Sequence, residues 1–243
     1  KGLFLIPGLF EEAKKIIIKF SSQMKNGLIP LINNSNNNIY NSKDVTWLYI
    51  KSILDYIEYT NDYDILSKSI NYTSEKNNNI QKVLYDIIQE CIQKHIEGIS
   101  YKDEKKNEII NIYIDQKNGF LYGGNKNSSG TWMDSISEDS IPYTPRNGAN
   151  IEIVALVYYI IIQLNKLYSI GKYKYDYVLL NDNNQYKYIQ WANKIKNNFE
   201  DYFFNKKNNI YKDYISSVEE EDPKQYQFLL IYLIKNTLLN IFH

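Results

Sequence analysis

The chain has 243 residues and a formal net charge of zero, with 28 basic and 28 acidic side chains. This balance gives no electrostatic reason to bind nucleic acid or an anionic membrane, and the length is sufficient for one large core. A single cysteine, Cys91, excludes a disulfide framework, and the two histidines, His95 and His243, nearly exclude histidine-based triads and histidine-rich metal sites.

Apolar residues at helical spacing predict three helices in the first hundred residues. The first runs from about Leu9 to Met24, the second from about Asp44 to Tyr59, and the third from about Ile80 to Ile99. Cys91 and His95 both lie on the apolar stripe of the third helix. We therefore expect an inert core cysteine and a packed histidine, in preference to a reactive thiol and a ligand.

The pattern changes in the middle of the chain. The short β-branched stretch Ile109–Ile114, the turn Asp115–Gly119 and the segment Phe120–Tyr122 predict a small β-hairpin. Helical spacing then returns in three stretches, at 151–167, about 185–204 and 225–242. Long helices joined by loops, with the chemically interesting residues in the loops, predict an all-α protein with low strand content.

The apolar segments and the N-terminus predict a chain that does not enter a membrane. The longest apolar runs, 151–164 and 228–242, are too short or too interrupted by polar residues to span a bilayer. The N-terminus lacks a basic and apolar leader. We expect a soluble, cytoplasmic protein with no membrane partner.

The stretch from Gly119 to Ile153 concentrates the residues that carry chemistry. It holds several glycines, an indole, an arginine and two isolated carboxylates. Glycines allow the backbone to turn or to approach a ligand closely. Tryptophan and tyrosine offer flat faces on which sugars stack, and Asp, Glu and Arg supply directional hydrogen bonds. This composition is typical of a carbohydrate site.

Several short blocks occur along the chain in a fixed order. They are GLFEEAKKIIIKF (8–20), GLIP (27–30), YNSKDVTW (40–47), IQECIQKHIEGI (88–99), GFLYGGN (119–125), GTWMD (130–134), TPRNG (144–148), IEIVAL (151–156) and IYKD (210–213). In these blocks the chain resembles, over nearly its whole length, the C-terminal amylo-α-1,6-glucosidase region of eukaryotic-type glycogen debranching enzymes.

This resemblance implies a fold and an activity. The fold would be an (α/α)6 toroid, incomplete at both ends, with a small β-hairpin insertion and one partial glucosidase domain over residues 1–243. The activity would be hydrolysis, with inversion, of the α-1,6-linked glucose at a branch point of a branched α-glucan such as glycogen or limit dextrin. The resemblance implies no cofactor or metal, and a 4-alpha-glucanotransferase domain fused upstream.

Asp134 is the predicted general acid. An inverting glycosidase needs a protonated carboxyl and an ionised carboxylate about 6.5–9.5 Å apart. Asp134 follows Trp132 and Met133, and apolar surroundings of this kind favour the protonated carboxyl. It also matches the Asp of the family's TWMD motif, although an aspartate that caps a helix or turn is the alternative. The resemblance places the general base beyond His243.

The block around residue 44 is predicted to bind the glucose that is released. Asp44, with Tyr40 and Asn41 beside it, would accept hydrogen bonds from sugar hydroxyls by the resemblance. The alternative is that Asp44 caps the second helix, and the two roles are compatible.

Five further residues of the central stretch are candidate substrate contacts. Trp132, Tyr122 and Asn125 are predicted to stack on or hydrogen-bond to the sugar, with loop packing as the alternative. The guanidinium of Arg146 suits bidentate hydrogen bonding to a sugar or a carboxylate. Glu152 either serves the dipole of the helix that begins there or faces the pocket, and the resemblance favours the pocket.

Two features depart from the family pattern. The expected general base is not found in the chain, and Asp222–Lys224 stands where the family carries Arg-Pro-Asn. They leave two hypotheses: the chain is the glucosidase segment of a working debranching enzyme, or it is a degenerate relative that binds glucan without hydrolysing it. A helical scaffold for proteins would not explain the Gly-, Trp- and Asp-rich centre.

Overall fold

A computed structural model describes residues 1–31, 38–73, 79–103, 108–125, 127–128, 130–139 and 141–216. The helix predicted at 225–242 and the departure at Asp222–Lys224 lie outside these residues.

The helices of the described residues agree with the sequence prediction in number and approximate place. They are α1 (Phe10–Ser21), α2 (Val45–Thr60), α3 (Leu84–Glu97), α4 (Ile151–Ser169) and α5 (Tyr188–Phe203), with one 3-10 helix at Tyr63–Ser67. The third helix is shorter than predicted, because residues 80–83 belong to a strand. Isoleucine and valine are favoured in strands, and a short apolar run is compatible with either structure.

Helix α4 is the central helix of the core. It packs against α2 and α5, and ten of its residues are buried. With 19 residues and a mean hydropathy of 1.4 it is long and apolar enough to cross a membrane by length and composition. The apolar helix is therefore longer than the run 151–164 from which the sequence analysis predicted that this segment is too short to span a bilayer. A core helix that is buried on several sides has the same apolar composition.

The chain contains more strand than an all-α protein with low strand content, so that part of the prediction is wrong. The strands are β1 (Ser69–Thr73), β2 (Asn79–Val83), β3 (Ile99–Asp103), β4 (Glu108–Ile114), β5 (Leu121–Gly123), β6 (Ala149–Asn150), β7 (Tyr177–Leu179), β8 (Gln185–Lys187), β9 (Phe204–Asn205), β10 (Ile210–Tyr211) and β11 (Tyr214–Ile215). They form small antiparallel sheets between and beside the helices. Most pair with a neighbour in sequence, and such local pairing overrides the helical pattern of the flanking segments.

The predicted hairpin is present and has a third strand. Strand β4 pairs with β5 from Ile112 opposite Gly123 to Ile114 opposite Leu121. Strand β3, which the sequence analysis missed, pairs along the other edge of β4. The helices in the described part of the chain do not close into a barrel, so the toroid stays a prediction.

The core around α3 confirms the structural reading of Cys91 and His95. Both side chains are fully buried, and the indole of Trp47 packs edge-on to His95 with ring centroids 5.1 Å apart. Burial raises the pKa of the Cys91 thiol, and it lowers the pKa of His95 to about 4. Neither group has the exposed, electropositive setting that reactivity requires.

Candidate functional site

The three residues before α2, Ser42 to Asp44, lie at the centre of the candidate site. Asp44 is only 2% exposed, and its Oδ2 accepts a hydrogen bond of 2.7 Å from the backbone N–H of Trp132. Its Oδ1 accepts a hydrogen bond from the hydroxyl of Ser42. Asp44 occupies the position of a helix cap, yet its side chain makes no capping bond. The carboxylate therefore holds the Trp132 segment, and not the helix end.

Trp132 is held at both its backbone and its ring. The indole Nε1–H donates to Glu152 Oε1 at 3.2 Å, while Asp44 binds the backbone N–H. The residue nevertheless remains 54% exposed. An aromatic ring that is fixed and still open to solvent is suited to stacking against a flat ligand.

Arg146 and Glu152 form an ion pair next to Trp132. Arg146 is 2% exposed; its Nη2 donates to Glu152 Oε1, and its Nη1 contacts the sulfur of Met133 at 3.0 Å. Within the described part of the chain, Arg146 Nε and Glu152 Oε2 are buried without a hydrogen-bond partner. An unsatisfied buried polar atom costs about 1–3 kcal/mol. The pair thus holds two unsatisfied polar atoms in the interior of the site.

The structure places Asp134 differently from the sequence prediction. Its side chain is exposed, and not enclosed by the apolar residues that precede it. The reason is visible in those two residues: the indole of Trp132 is directed to Glu152, and the sulfur of Met133 contacts Arg146. The exposed Asp134 therefore lacks, in the described structure, the apolar environment that its sequence neighbours predicted.

Lys43 was not identified from the sequence, although it is as deeply buried as Arg146, with 2% of its surface exposed. Its Nζ donates hydrogen bonds to the backbone carbonyls of Gly123, Arg146 and Gly148, at 2.8, 2.7 and 2.8 Å. Burial, and then the nearby guanidinium of Arg146, lower the pKa of Lys43 to about 7. Its position directly before Asp44 in the YNSKDVTW block is the sequence feature that could have indicated Lys43 as a site residue.

Two glycines allow the loops of the site to approach each other. The backbone N–H of Lys43 donates to the carbonyl of Gly130, and a Cβ on Gly130 would lie 2.8 Å from the carbonyl oxygen of Asn41. Gly124 has a φ of +83°, and a Cβ there would lie 2.7 Å from Ser128 Oγ. Any larger residue at either position would force the loops apart.

Comparison with known proteins assigns the chain to a family. A sequence model described as amylo-alpha-1,6-glucosidase matches residues 1–240. The chain belongs to the amylo-alpha-1,6-glucosidase family. The resemblance inferred from the ordered sequence blocks is thereby confirmed.

A curated relative of this amylo-alpha-1,6-glucosidase family member is the glycogen debranching enzyme of Saccharomyces cerevisiae (strain ATCC 204508 / S288c). The two sequences are 27% identical over 234 residues. The alignment covers 84% of this chain and 15% of the yeast protein. The chain therefore spans a small part of the length of that relative.

Two of the predicted sugar contacts in this glucosidase-family chain are engaged within the protein. Tyr122 is buried and stacks on Tyr113 with ring centroids 5.7 Å apart, and its hydroxyl accepts a hydrogen bond from Asn118. Burial raises the pKa of Tyr122 to about 12. The Nδ2 of Asn125 donates to Glu108 at 2.8 Å. These contacts match the loop-packing alternative, and the role of both residues in sugar binding stays a prediction.

Tyr40 and Asn41 lie on the side of the site formed by the chain before α2. The hydroxyl of Tyr40 donates to the carbonyl of Gln23 at 2.6 Å, which fixes the loop. Asn41 is exposed, and its backbone carbonyl accepts a hydrogen bond of 2.9 Å from the Tyr101 hydroxyl. The side chain of Asn41 is thus the more accessible of the two for a ligand.

The structure gives no positive sign of a metal site in the region it describes. No group of three or more His, Cys, Asp or Glu side chains there is arranged to hold an ion. The sequence-based expectation of a reaction without metal or cofactor stays a prediction.

Proposed function

We propose that this chain is the glucosidase segment of a debranching enzyme, and that it hydrolyses the α-1,6-linked glucose at branch points of glycogen or a related polyglucan. The observation that carries the proposal is the network in which Asp44 and Glu152 hold the exposed Trp132, with Arg146 paired to Glu152. Family membership and the similarity to a glycogen debranching enzyme support the same conclusion.

Each member of the network has a role in this proposal. Trp132 provides the stacking surface for a glucose ring. Glu152 Oε2 and Arg146 Nε are buried and unpartnered in the described structure, and they would bond to sugar hydroxyls once substrate binding uncovers them. Asp44 fixes the Trp132 segment to the start of α2, because its two oxygens accept hydrogen bonds from the Trp132 backbone and from Ser42.

Asp134 is the proposed general acid. It would transfer its proton to the bridging oxygen while a second carboxylate activates a water molecule on the opposite face of the sugar. By the sequence resemblance, that base is contributed from beyond His243. A general acid is more effective when it is shielded from water, so the proposal requires that bound glucan or adjoining sequence covers the exposed Asp134.

The exposure of Asp134 also favours a second candidate function. The residues proposed to bind sugar are buried or held by hydrogen bonds, whereas the proposed acid is solvated. This is the arrangement of a chain that binds branched glucan without hydrolysing it.

The two functions are separated by assaying the full-length protein for glucose release from phosphorylase-limit dextrin. We expect release in the β-anomeric form, because inversion at an α-linkage gives the β-anomer. Asp134→Asn should lower kcat by about 100-fold or more, the usual contribution of a general acid. Glu138→Gln, an exposed acid in the same segment, is the matched control and should leave kcat unchanged.

The outcomes are distinct. Equal rates for the wild type and Asp134→Asn would remove Asp134 from the mechanism. A full-length protein that sediments with glycogen but releases no glucose would establish the binding function instead.

The proposal extends to the rest of the protein and its location. We propose that a 4-alpha-glucanotransferase domain is fused upstream, and the much greater length of the yeast relative is consistent with additional domains. We also propose that the protein acts in the cytoplasm. Transfer of glucosyl units between α-glucan chains by the full-length protein would test the first point, and cell fractionation would test the second.

A further inference from the structure

The side chain of Lys43 lies against the contact between two segments of the site. Gly123, at the end of β5, and Gly148, just before β6, form an isolated antiparallel bridge in which each backbone N–H donates to the other's carbonyl, at 3.1 and 3.0 Å. The Nζ of Lys43 donates to both of these carbonyls and also to that of Arg146. In its ammonium form, one buried lysine therefore holds the glycine-rich segment and the Arg146 segment together.

The chemistry of lysine fits this arrangement. An ammonium group has three N–H donors and no acceptor, and here three carbonyl oxygens receive them. The charged groups that influence it most are Arg146, Glu152 and Asp44. None of these three side chains is a hydrogen-bond partner of Nζ, so within the described structure the direct contacts of the ammonium are the three backbone carbonyls.

The packing around the stem of Lys43 is close. A Cβ added to Gly123 would lie 3.1 Å from Cδ of Lys43 and 3.2 Å from the carbonyl oxygen of Asn111. The absence of a side chain at Gly123 thus makes room for the lysine stem. The position of the ammonium is determined by packing as well as by hydrogen bonds.

We infer that Lys43 is a positioning residue, whose ammonium fixes the Arg146 segment against the glycine-rich segment and so places the Arg146–Glu152 pair beside Trp132. For its effect on catalysis the inference rests on the proposed glucosidase function. Its structural part, the link between two segments, can be measured without substrate.

The test compares Lys43→Met with the wild type in the full-length protein. Methionine has a similar length but no donors, so three carbonyls lose a partner. We expect backbone amide exchange at Gly123 and Gly148 to accelerate by about 10-fold or more, while exchange in α5 stays within about twofold. In glucose release, we expect kcat to fall by about 100-fold with a much smaller change in KM.

Lys51→Met is the matched control. Lys51 lies on α2, the helix that follows Lys43, and pairs with Asp55, so this variant removes a lysine and its ion pair without touching the three carbonyls. Lys43→Arg is the conservative variant and keeps donors and charge; its exchange rates should lie between those of the wild type and Lys43→Met.

The results separate the inference from the proposed function. Unchanged exchange at Gly123 and Gly148 in Lys43→Met, or equal acceleration throughout the protein, overturns the inference. If Lys43→Met does not fold, Lys43→Arg carries the test, and acceleration confined to the two bridging segments supports the inference while uniform acceleration overturns it. Local acceleration in Lys43→Met, together with a wild-type full-length protein that releases no glucose, would refute the proposed function and leave the positioning role standing.

Discussion

Asp44 and Asp134 flank the same tryptophan and have opposite surroundings. Asp44 is buried at the start of α2, where its two oxygens accept hydrogen bonds from Ser42 and from the backbone of Trp132. Asp134, two residues after Trp132, is exposed. Within the described residues, the environment of one carboxylate is completed by hydrogen bonds, whereas the other carboxylate is exposed.

The two carboxylates differ because hydrogen bonds within the described part of the chain hold Asp44, whereas Asp134 is exposed to solvent. Buried charged groups are costly unless they are paired or hydrogen-bonded, and Asp44, Arg146 and Glu152 are linked to one another by hydrogen bonds through Trp132. An exposed carboxylate has no such structural requirement. We infer that the sugar-binding side of the site is formed by the fold, and that the acid is completed by substrate or by further sequence.

The largest expected effect comes from breaking the buried ion pair. Arg146→Met should lower the free energy of unfolding by about 3–5 kcal/mol, because it leaves Glu152 charged and without its partner. Urea unfolding monitored by circular dichroism gives the value. The control Lys51→Met breaks a more exposed pair and should cost at most about 1 kcal/mol. Equal losses in the two variants would mean that the Arg146 pair is not part of a buried network.

The next effect is the pH dependence of stability that the buried His95 causes. Because His95 destabilises the protein at low pH, the two aspartates are best compared at pH 7. The pKa of His95 is about 4 in the folded protein and 6.5 ordinarily, so the unfolded state binds the additional proton between these values. Stability should therefore be complete above pH 6.5 and decline by up to about 3 kcal/mol as the pH falls through 4. His95→Gln should remove this part of the pH dependence in unfolding measured from pH 7 to 4. A wild-type profile that is flat between pH 6.5 and 4 would contradict the burial of a neutral His95.

The smallest effect separates the two aspartates directly. Asp44→Ala should cost about 2 kcal/mol of stability, because the partly buried backbone N–H of Trp132 and the buried Ser42 hydroxyl lose a charged acceptor. Asp134→Ala should stay within about 0.5 kcal/mol, as expected for an exposed side chain. Both are measured by urea unfolding at pH 7. Comparable losses would mean that Asp134 is also enclosed in solution, contrary to its exposed position.

A good part of the site was predictable from the residues. Asp44, Trp132, Arg146 and Glu152 were all candidates, and the structure connects them by hydrogen bonds. Their partners were not predictable, because Asp44 and Trp132 are 88 residues apart in sequence. The apolar environment expected for Asp134 came from its neighbours in sequence, and these neighbours are directed elsewhere.

By itself, the sequence determined the family, the five described helices and the β4–β5 hairpin. Apolar spacing and turn residues act over a few positions, so they are legible in a single chain. Only the tertiary structure decided the contacts of Lys43, whose three carbonyl partners lie 80 to 105 residues away in the sequence. It also decided that α2 starts with a carboxylate that binds another loop, because burial and long-range hydrogen bonds depend on how the elements pack.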